Sequence, residues 1–259
     1  YELVDGELVR QQTDKFRSAD YSGLDEVVRI FLDKHKISVT KSCFGVPGPI
    51  INGEAQATNL PWKLQEEQLR KTLGIQHVTL VNDLVAIAAA VPYLKPEELF
   101  TLHAGKRISP PLKELKSDYS PLADGRDGVF AVLAPGTGLG QAFLSINSRK
   151  HHLLPSEGGH VDFAPTTEIE VSLLGYLLSK YTHVSYERVL SGPGLVNIYQ
   201  FLRDMDYAKE PAELRKRLNE DDPSFVISGC AQSGEYEICV KALDVFASIL
   251  GAQAGNIVL

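Results

Sequence analysis

Four short stretches of this 259-residue chain combine residue types that could carry chemistry. Ala134-Pro-Gly-Thr-Gly-Leu-Gly140 places Gly136, Gly138 and Gly140 within five residues, between two β-rich runs. Such a loop turns sharply and lets a ligand approach the backbone closely. Its successive N–H groups can cradle an anion, with the Thr137 hydroxyl as an extra donor. No Gly-Lys-Ser/Thr follows, and the next element is a strand, so neither a Walker loop nor a dinucleotide fingerprint is present. A tight hairpin without a ligand is the competing reading.

Asn82-Asp83 lies at a strand-to-helix junction, where either residue could simply cap the helix. At the carboxyl end of a sheet strand, the Asp could instead take a proton from a substrate hydroxyl that the Asn orients. Glu157-Gly-Gly-His160 brings a carboxylate and an imidazole toward one small ligand, a combination suited to polyol hydroxyls. Metal ligation by Glu157, His160, Asp162 and His152 is a second reading, and a structural turn a third. Glu187-Arg188, just before Val189-Leu-Ser-Gly-Pro-Gly-Leu195, reads in isolation as an exposed helix end with a solvated pair. Pro193 there marks the first turn of the next helix.

These residues need elements to hold them. Residues 1–10 read as two short strands about an Asp5-Gly6 turn. Leu24, Val27, Val28, Phe31 and Leu32 recur at helical spacing and predict an amphipathic helix over 22–35. A strand follows over 38–46, running into Pro47-Gly48-Pro49. A helix over 63–73 closed by Gly74, a strand over 77–81 and an Ala-rich helix over 84–91 complete the first part. Residues 105–127 show no periodicity and read as a surface excursion. Strands over 129–134 and 141–146 flank the glycine-rich turn. Helices are then expected over 168–181, 186–190, 193–203, 211–219, 223–232 and 236–259. This is an α/β fold with a helical second half.

The chain is 44% hydrophobic and 23% charged, which excludes disordered, collagenous and coiled-coil classes. A net charge of −7 without a basic block argues against nucleic-acid partners. No apolar run approaches the ~20 residues of a membrane span, so no membrane partner is expected. Cys43, Cys230 and Cys239 form neither a disulfide framework nor a zinc set, which suits a reducing, cytoplasmic location.

Six segments occur in a specific order: Phe44-Gly-Val-Pro-Gly-Pro49, Thr58-Asn-Leu-Pro-Trp62, Val81-Asn-Asp83, Gly136-Thr-Gly-Leu-Gly140, Glu157-Gly-Gly-His-Val-Asp-Phe-Ala-Pro165 and Glu187-Arg-Val-Leu-Ser-Gly-Pro-Gly-Leu195. The set closely resembles the bacterial glucokinase family, in the branch outside the repressor-type sugar kinases. The resemblance implies an actin/hexokinase-like (ribonuclease H-like) fold, with two α/β domains closing over a cleft. It implies transfer of the ATP γ-phosphoryl group to the 6-hydroxyl of glucose, with Mg²⁺ accompanying ATP. Asp83 then matches the family's catalytic base and Asn82 its sugar-binding neighbour. Glu157, His160 and Glu187 match the other glucose contacts. Gly136, Thr137, Gly138 and Gly140 match the second phosphate loop. A homodimer is also implied.

The family's first phosphate loop, Asp-x-Gly-Gly-Thr, should lie just before Tyr1, and its Gly-rich adenosine-side segment after Leu259. The expectation is therefore a chain truncated at both ends, which by itself phosphorylates glucose poorly. Residues 1–92 would be a small α/β domain without its first strand. Residues 93–259 would be a larger α/β domain with a helical subdomain and an incomplete C-terminal part. Three alternatives accompany this reading: a kinase of another hexose, a non-catalytic sugar-binding protein, and a phosphatase of the same superfold.

Overall fold

The computed structural model describes residues 2–4, 7–56, 61–94, 96–103, 128–147 and 150–258. The Asp5-Gly6 turn, the Thr58–Leu60 portion of one motif and the 105–127 excursion lie outside these residues. The chain divides into two compact units, Tyr1–Ile87 and Ala88–Leu259.

In the first unit, β1 (Glu2–Val4) and β2 (Glu7–Val9) pair antiparallel, as the hairpin signal predicts. Helix α1 (Leu24–His35) sets Leu24 and Val27 against the core of this unit. Strand β3 (Lys41–Val46) pairs parallel with β6 (His77–Asn82), in a register that places Val46 beside Asn82. Parallel pairing brings both carboxyl ends to one edge, where α/β folds present their ligand-binding residues. Between these strands run β4 (Glu54–Gln56), β5 (Lys63–Gln65) and α2 (Glu66–Leu73). The sequence predicts helix from residue 63. Instead, Lys63–Gln65 pair antiparallel with Glu54–Gln56, which buries Leu64, and the helix starts at Glu66. A three-residue strand carries no periodic signal; its partner across the chain decides it. Gly74 ends α2 at φ +66°, and its N–H donates to the Arg70 carbonyl. The Glu66 carboxylate accepts the Leu80 N–H at 2.7 Å and so ties α2 to β6.

The second unit begins within α3 (Asp83–Ala90). A three-stranded antiparallel sheet follows, with β8 (Leu139–Asn147) between β7 (Gly128–Pro135) and β9 (Lys150–Ser156). Strand β9 is absent from the sequence reading. Its Lys150-His-His-Leu-Leu-Pro-Ser segment is mostly exposed and does not alternate, and only the ladder with β8 makes it a strand. Five helices complete the unit: α4 (Glu168–Leu178), α5 (Gly192–Asp204), α6 (Ala212–Glu220), α7 (Pro223–Ser233) and α8 (Glu237–Ile257). The helix expected over 186–190 is a single 3₁₀ turn, Tyr186–Arg188.

Helix α5 is central to this core, burying Leu195, Ile198, Tyr199, Phe201 and Leu202. Helix α8 overturns one expectation, because its 21 residues are long and apolar enough to cross a membrane by length and composition. In the fold, Ile238, Ala242, Val245 and Ile249 of α8 pack into the same core as α5 and α7. A core helix needs this composition as much as a membrane span does.

Candidate active site

In the first unit, the candidates sit where β6 passes into α3. Asn82 Oδ1 accepts the N–H groups of Leu84 (3.0 Å) and Val85 (3.2 Å), so Asn82 caps α3. Its Nδ2 donates to the Gly48 carbonyl at 3.2 Å, binding the turn after β3 to the end of β6. Gly48 holds φ +98°, which glycine adopts without steric cost. Asp83 is half-buried at the first position of α3, and its Oδ1 accepts the Leu84 N–H at 2.9 Å. Among the described residues, Oδ2 accepts no hydrogen bond. Since Asn82 provides the cap, this carboxylate keeps acceptor capacity at the strand edge. A Cβ at Gly45 would stand 3.3 Å from that of Ala86 and 3.6 Å from the Asp83 Cα, so α3 lies tightly on β3.

In the second unit, the glycine-rich stretch is the turn joining β7 to β8, with Pro135 opposite Leu139 and the Gly136 N–H donating to the Gly138 carbonyl. Thr137 is exposed at its tip. Glu187 reaches this turn from the 3₁₀ segment: its Oε2 accepts the Leu139 N–H at 3.0 Å. A Cβ on Gly138 would fall 2.5 Å from the same oxygen, so only glycine lets the carboxylate approach. His160 stands between two acids, with Nδ1 3.9 Å from Glu187 Oε1 and Nε2 3.8 Å from Glu157 Oε2. Both separations are too long for direct hydrogen bonds. Hydroxyl groups inserted there would find acceptors on either side and an imidazole between them. Glu187 is anchored, its side chain 32% exposed, whereas Glu157 at 72% and His160 at 61% face outward.

Pairing of two distant loops sets this arrangement. The Phe163 N–H donates to the Val184 carbonyl (2.9 Å) and the Tyr186 N–H to the Val161 carbonyl (3.1 Å), which draws His160 and Glu187 together. Phe163 and Tyr186, both buried, meet edge to face at 5.6 Å. Asp162 bonds His183 at 2.7 Å rather than joining Glu157 and His160. Among the described residues, no group of three His, Cys, Asp or Glu could hold a metal ion.

Ser191 links this site to α5. Its Oγ accepts the buried Gly194 N–H (3.0 Å) and donates to the Glu187 carbonyl (2.7 Å). Loss of such a cap costs ~1–2 kcal/mol. Ser191→Ala is therefore expected to lower the denaturation midpoint accordingly and to loosen the hold of Glu187 on the Leu139 N–H. Chemical denaturation and the exchange rate of the Leu139 amide hydrogen check both effects.

Sequence reasoning missed a trough beside the glycine turn. Two adjoining hollows of about 350 and 610 Å³ share Gly136, Gly192, Asp222 and Ser224. The N-termini of α5 and α7 border them, and the larger also has apolar walls from Phe225, Leu243 and Phe246. Helix N-termini favour anionic groups. Asp222-Pro-Ser224 was readable as a helix start, since Asp222 Oδ1 accepts the N–H groups of Ser224 and Phe225. Its nearness to Gly136 was not readable.

A family model described as Glucokinase matches residues 2–259. The chain belongs to the glucokinase family. It is 38% identical over 261 residues to a glucokinase of Nostoc sp., covering 95% of this chain and 71% of that protein. A glucokinase of Salmonella arizonae is 34% identical over 258 residues, covering 100% of this chain and 72% of its own length. A solved glucokinase from an Antarctic psychrotroph superposes with a TM-score of 0.69 at 31% identity, over 93% of this chain and 67% of that one. The glucokinase of Balamuthia mandrillaris, solved in complex with glucose, shares the fold with a TM-score of 0.64 at 23% identity, over 90% and 64% of the two chains. The fold is thus the hexokinase-like α/β architecture expected from the ordered motifs.

Proposed function

We propose that this protein transfers the γ-phosphoryl group of ATP to the 6-hydroxyl of glucose, giving glucose 6-phosphate and ADP. Family membership supports the reaction. The observation that carries the site is the Glu187 carboxylate, which touches the glycine turn at Leu139 and faces His160 within one unit. It links a place for phosphate to a place for hydroxyls.

In this reading the Asp83 carboxylate accepts the proton of the 6-hydroxyl as the oxygen–phosphorus bond forms and the bond to the ADP leaving oxygen breaks. Asn82 orients the sugar. Glu157 and Glu187 accept hydrogen bonds from hydroxyl groups that His160 also contacts. The turn Gly136–Gly140 and the N-termini of α5 and α7 hold the phosphate chain, and the apolar side of the larger hollow suits a purine ring. Asp222 adds negative charge there, so Mg²⁺ accompanying ATP supplies the charge neutralisation that these residues lack.

A cytoplasmic location belongs to this reading, supported by three free cysteines. So does a homodimer to which α8 contributes.

Hexose-dependent ADP release with Mg-ATP, across glucose, mannose and fructose, tests the reaction in the full-length protein. A response confined to glucose is expected; a stronger response to another hexose would reassign the substrate. Glu157→Gln should weaken glucose binding by ~1.5–3 kcal/mol, the scale of a charged hydrogen bond. Isothermal titration measures this, and unchanged affinity would remove Glu157 from the sugar site.

A further inference from the structure

Strand β8 forms the floor under the loops that carry Glu157, His160 and Glu187, and its first residues meet them in different ways. The Leu139 N–H donates to Glu187, while the Leu139 carbonyl lies only 2.2 Å from where a Cβ on Gly159 would sit. Gln141 lies under the neighbouring glycine: a Cβ on Gly158 would be 2.2 Å from Gln141 Oε1 and 3.0 Å from its Cδ. Gln141 pairs with Ser156 across β8 and β9, and the Ser156 Oγ accepts the Gly158 N–H at 3.1 Å. The turn thus rests on two polar side chains of one sheet face.

Gln141 is 4% exposed, yet its buried amide nitrogen has no hydrogen-bond partner among the described residues. An unmet buried donor destabilises a fold, and an apolar side chain of equal length would avoid the cost. Among the described residues, no hydrogen bond of the amide nitrogen accounts for its burial. We propose that Gln141 is a positioning residue for the sugar-binding turn. Its amide holds Gly158, and through it Glu157 and His160, at the height and angle a hexose requires. The inference rests on the reading of Glu157 and His160 as sugar contacts.

Gln141→Met and Gln141→Leu, made in the full-length protein, test it. Both are expected to keep or raise the melting temperature without ligand, because the unmet donor is gone. KM for glucose is expected to rise roughly tenfold, because Glu157 and His160 lose the position that the Gln141 side chain sets under Gly158. The value of kcat should change far less, and the upward thermal shift produced by glucose should shrink. A merely structural role would instead lower the melting temperature and leave KM in place. Wild-type KM in either folded variant would overturn the proposal. If glucose protects the unaltered protein and Glu157→Gln reduces that protection while both Gln141 variants behave as wild type, the sugar reading stands and this inference fails. If glucose does not protect the unaltered protein, the sugar reading fails first and takes the inference with it.

Discussion

Asp83→Asn is expected to lower kcat by about 10²–10⁴-fold while glucose still binds, because in the proposed mechanism it removes the base and keeps the shape. The structure explains why the substitution should be clean. Helix α3 is capped by Asn82, which accepts the Leu84 and Val85 N–H groups, so the helix does not depend on the Asp83 carboxylate. The bond that Asp83 accepts from Leu84 N–H can equally go to an amide oxygen. The melting temperature and its shift with glucose should therefore match those of the unaltered protein. Steady-state kinetics, with thermal shifts on the same sample, provide the check. Turnover within a few-fold of normal would exclude Asp83 as the base.

Gly159→Ala should have the second largest effect, by a different route. The added methyl carbon would sit 2.2 Å from the Leu139 carbonyl oxygen and 3.2 Å from both its carbonyl carbon and its Cβ. Leu139 is buried at the start of the central strand and cannot retreat. The turn must lift instead, carrying Glu157 and His160 away from Glu187. Overpacking of this kind costs ~1–3 kcal/mol of stability. A shift of about 1 Å at a binding group can cost ~10²-fold in rate, so kcat/KM should fall by that order. Gly175→Ala is the internal control, since nothing lies within 4 Å of a Cβ there, in the middle of α4. It should raise stability by ~0.5–1 kcal/mol and leave kcat/KM unchanged. Equal loss of activity in both variants would show that the turn does not depend on its approach to β8.

Much of this protein was legible in its sequence, because the signals concerned are local. Leu24, Val27, Val28, Phe31 and Leu32 mark α1 by spacing alone, and Gly74 ends α2 where a left-handed residue is required. The three glycines after Pro135 mark a turn between strands, and the ordered motifs from Phe44 to Leu195 mark the family. Strand β9 and the short strands β4 and β5 were not legible, because their residues become strands only through hydrogen bonds to distant segments. The apolar content of α8 gave no sign of which face would meet α5 and α7.

The candidate site divides in the same way. Asn82, Asp83, Glu157 and His160 could be chosen from residue type beside a turn or a strand end. Glu187, in isolation an exposed helix end, gains its place from a bond to Leu139, 48 residues earlier in the chain, and from the space that Gly138 leaves open. Neither the place of Gln141 under Gly158 nor the nearness of the helix start at Asp222 to Gly136 had a local signal, since both derive from which segments lie against β8 and the glycine turn. Residue chemistry and turn geometry are written along the chain. The convergence of carboxylates, imidazole and glycine backbone arises only when packing brings remote segments within a few ångströms of one another.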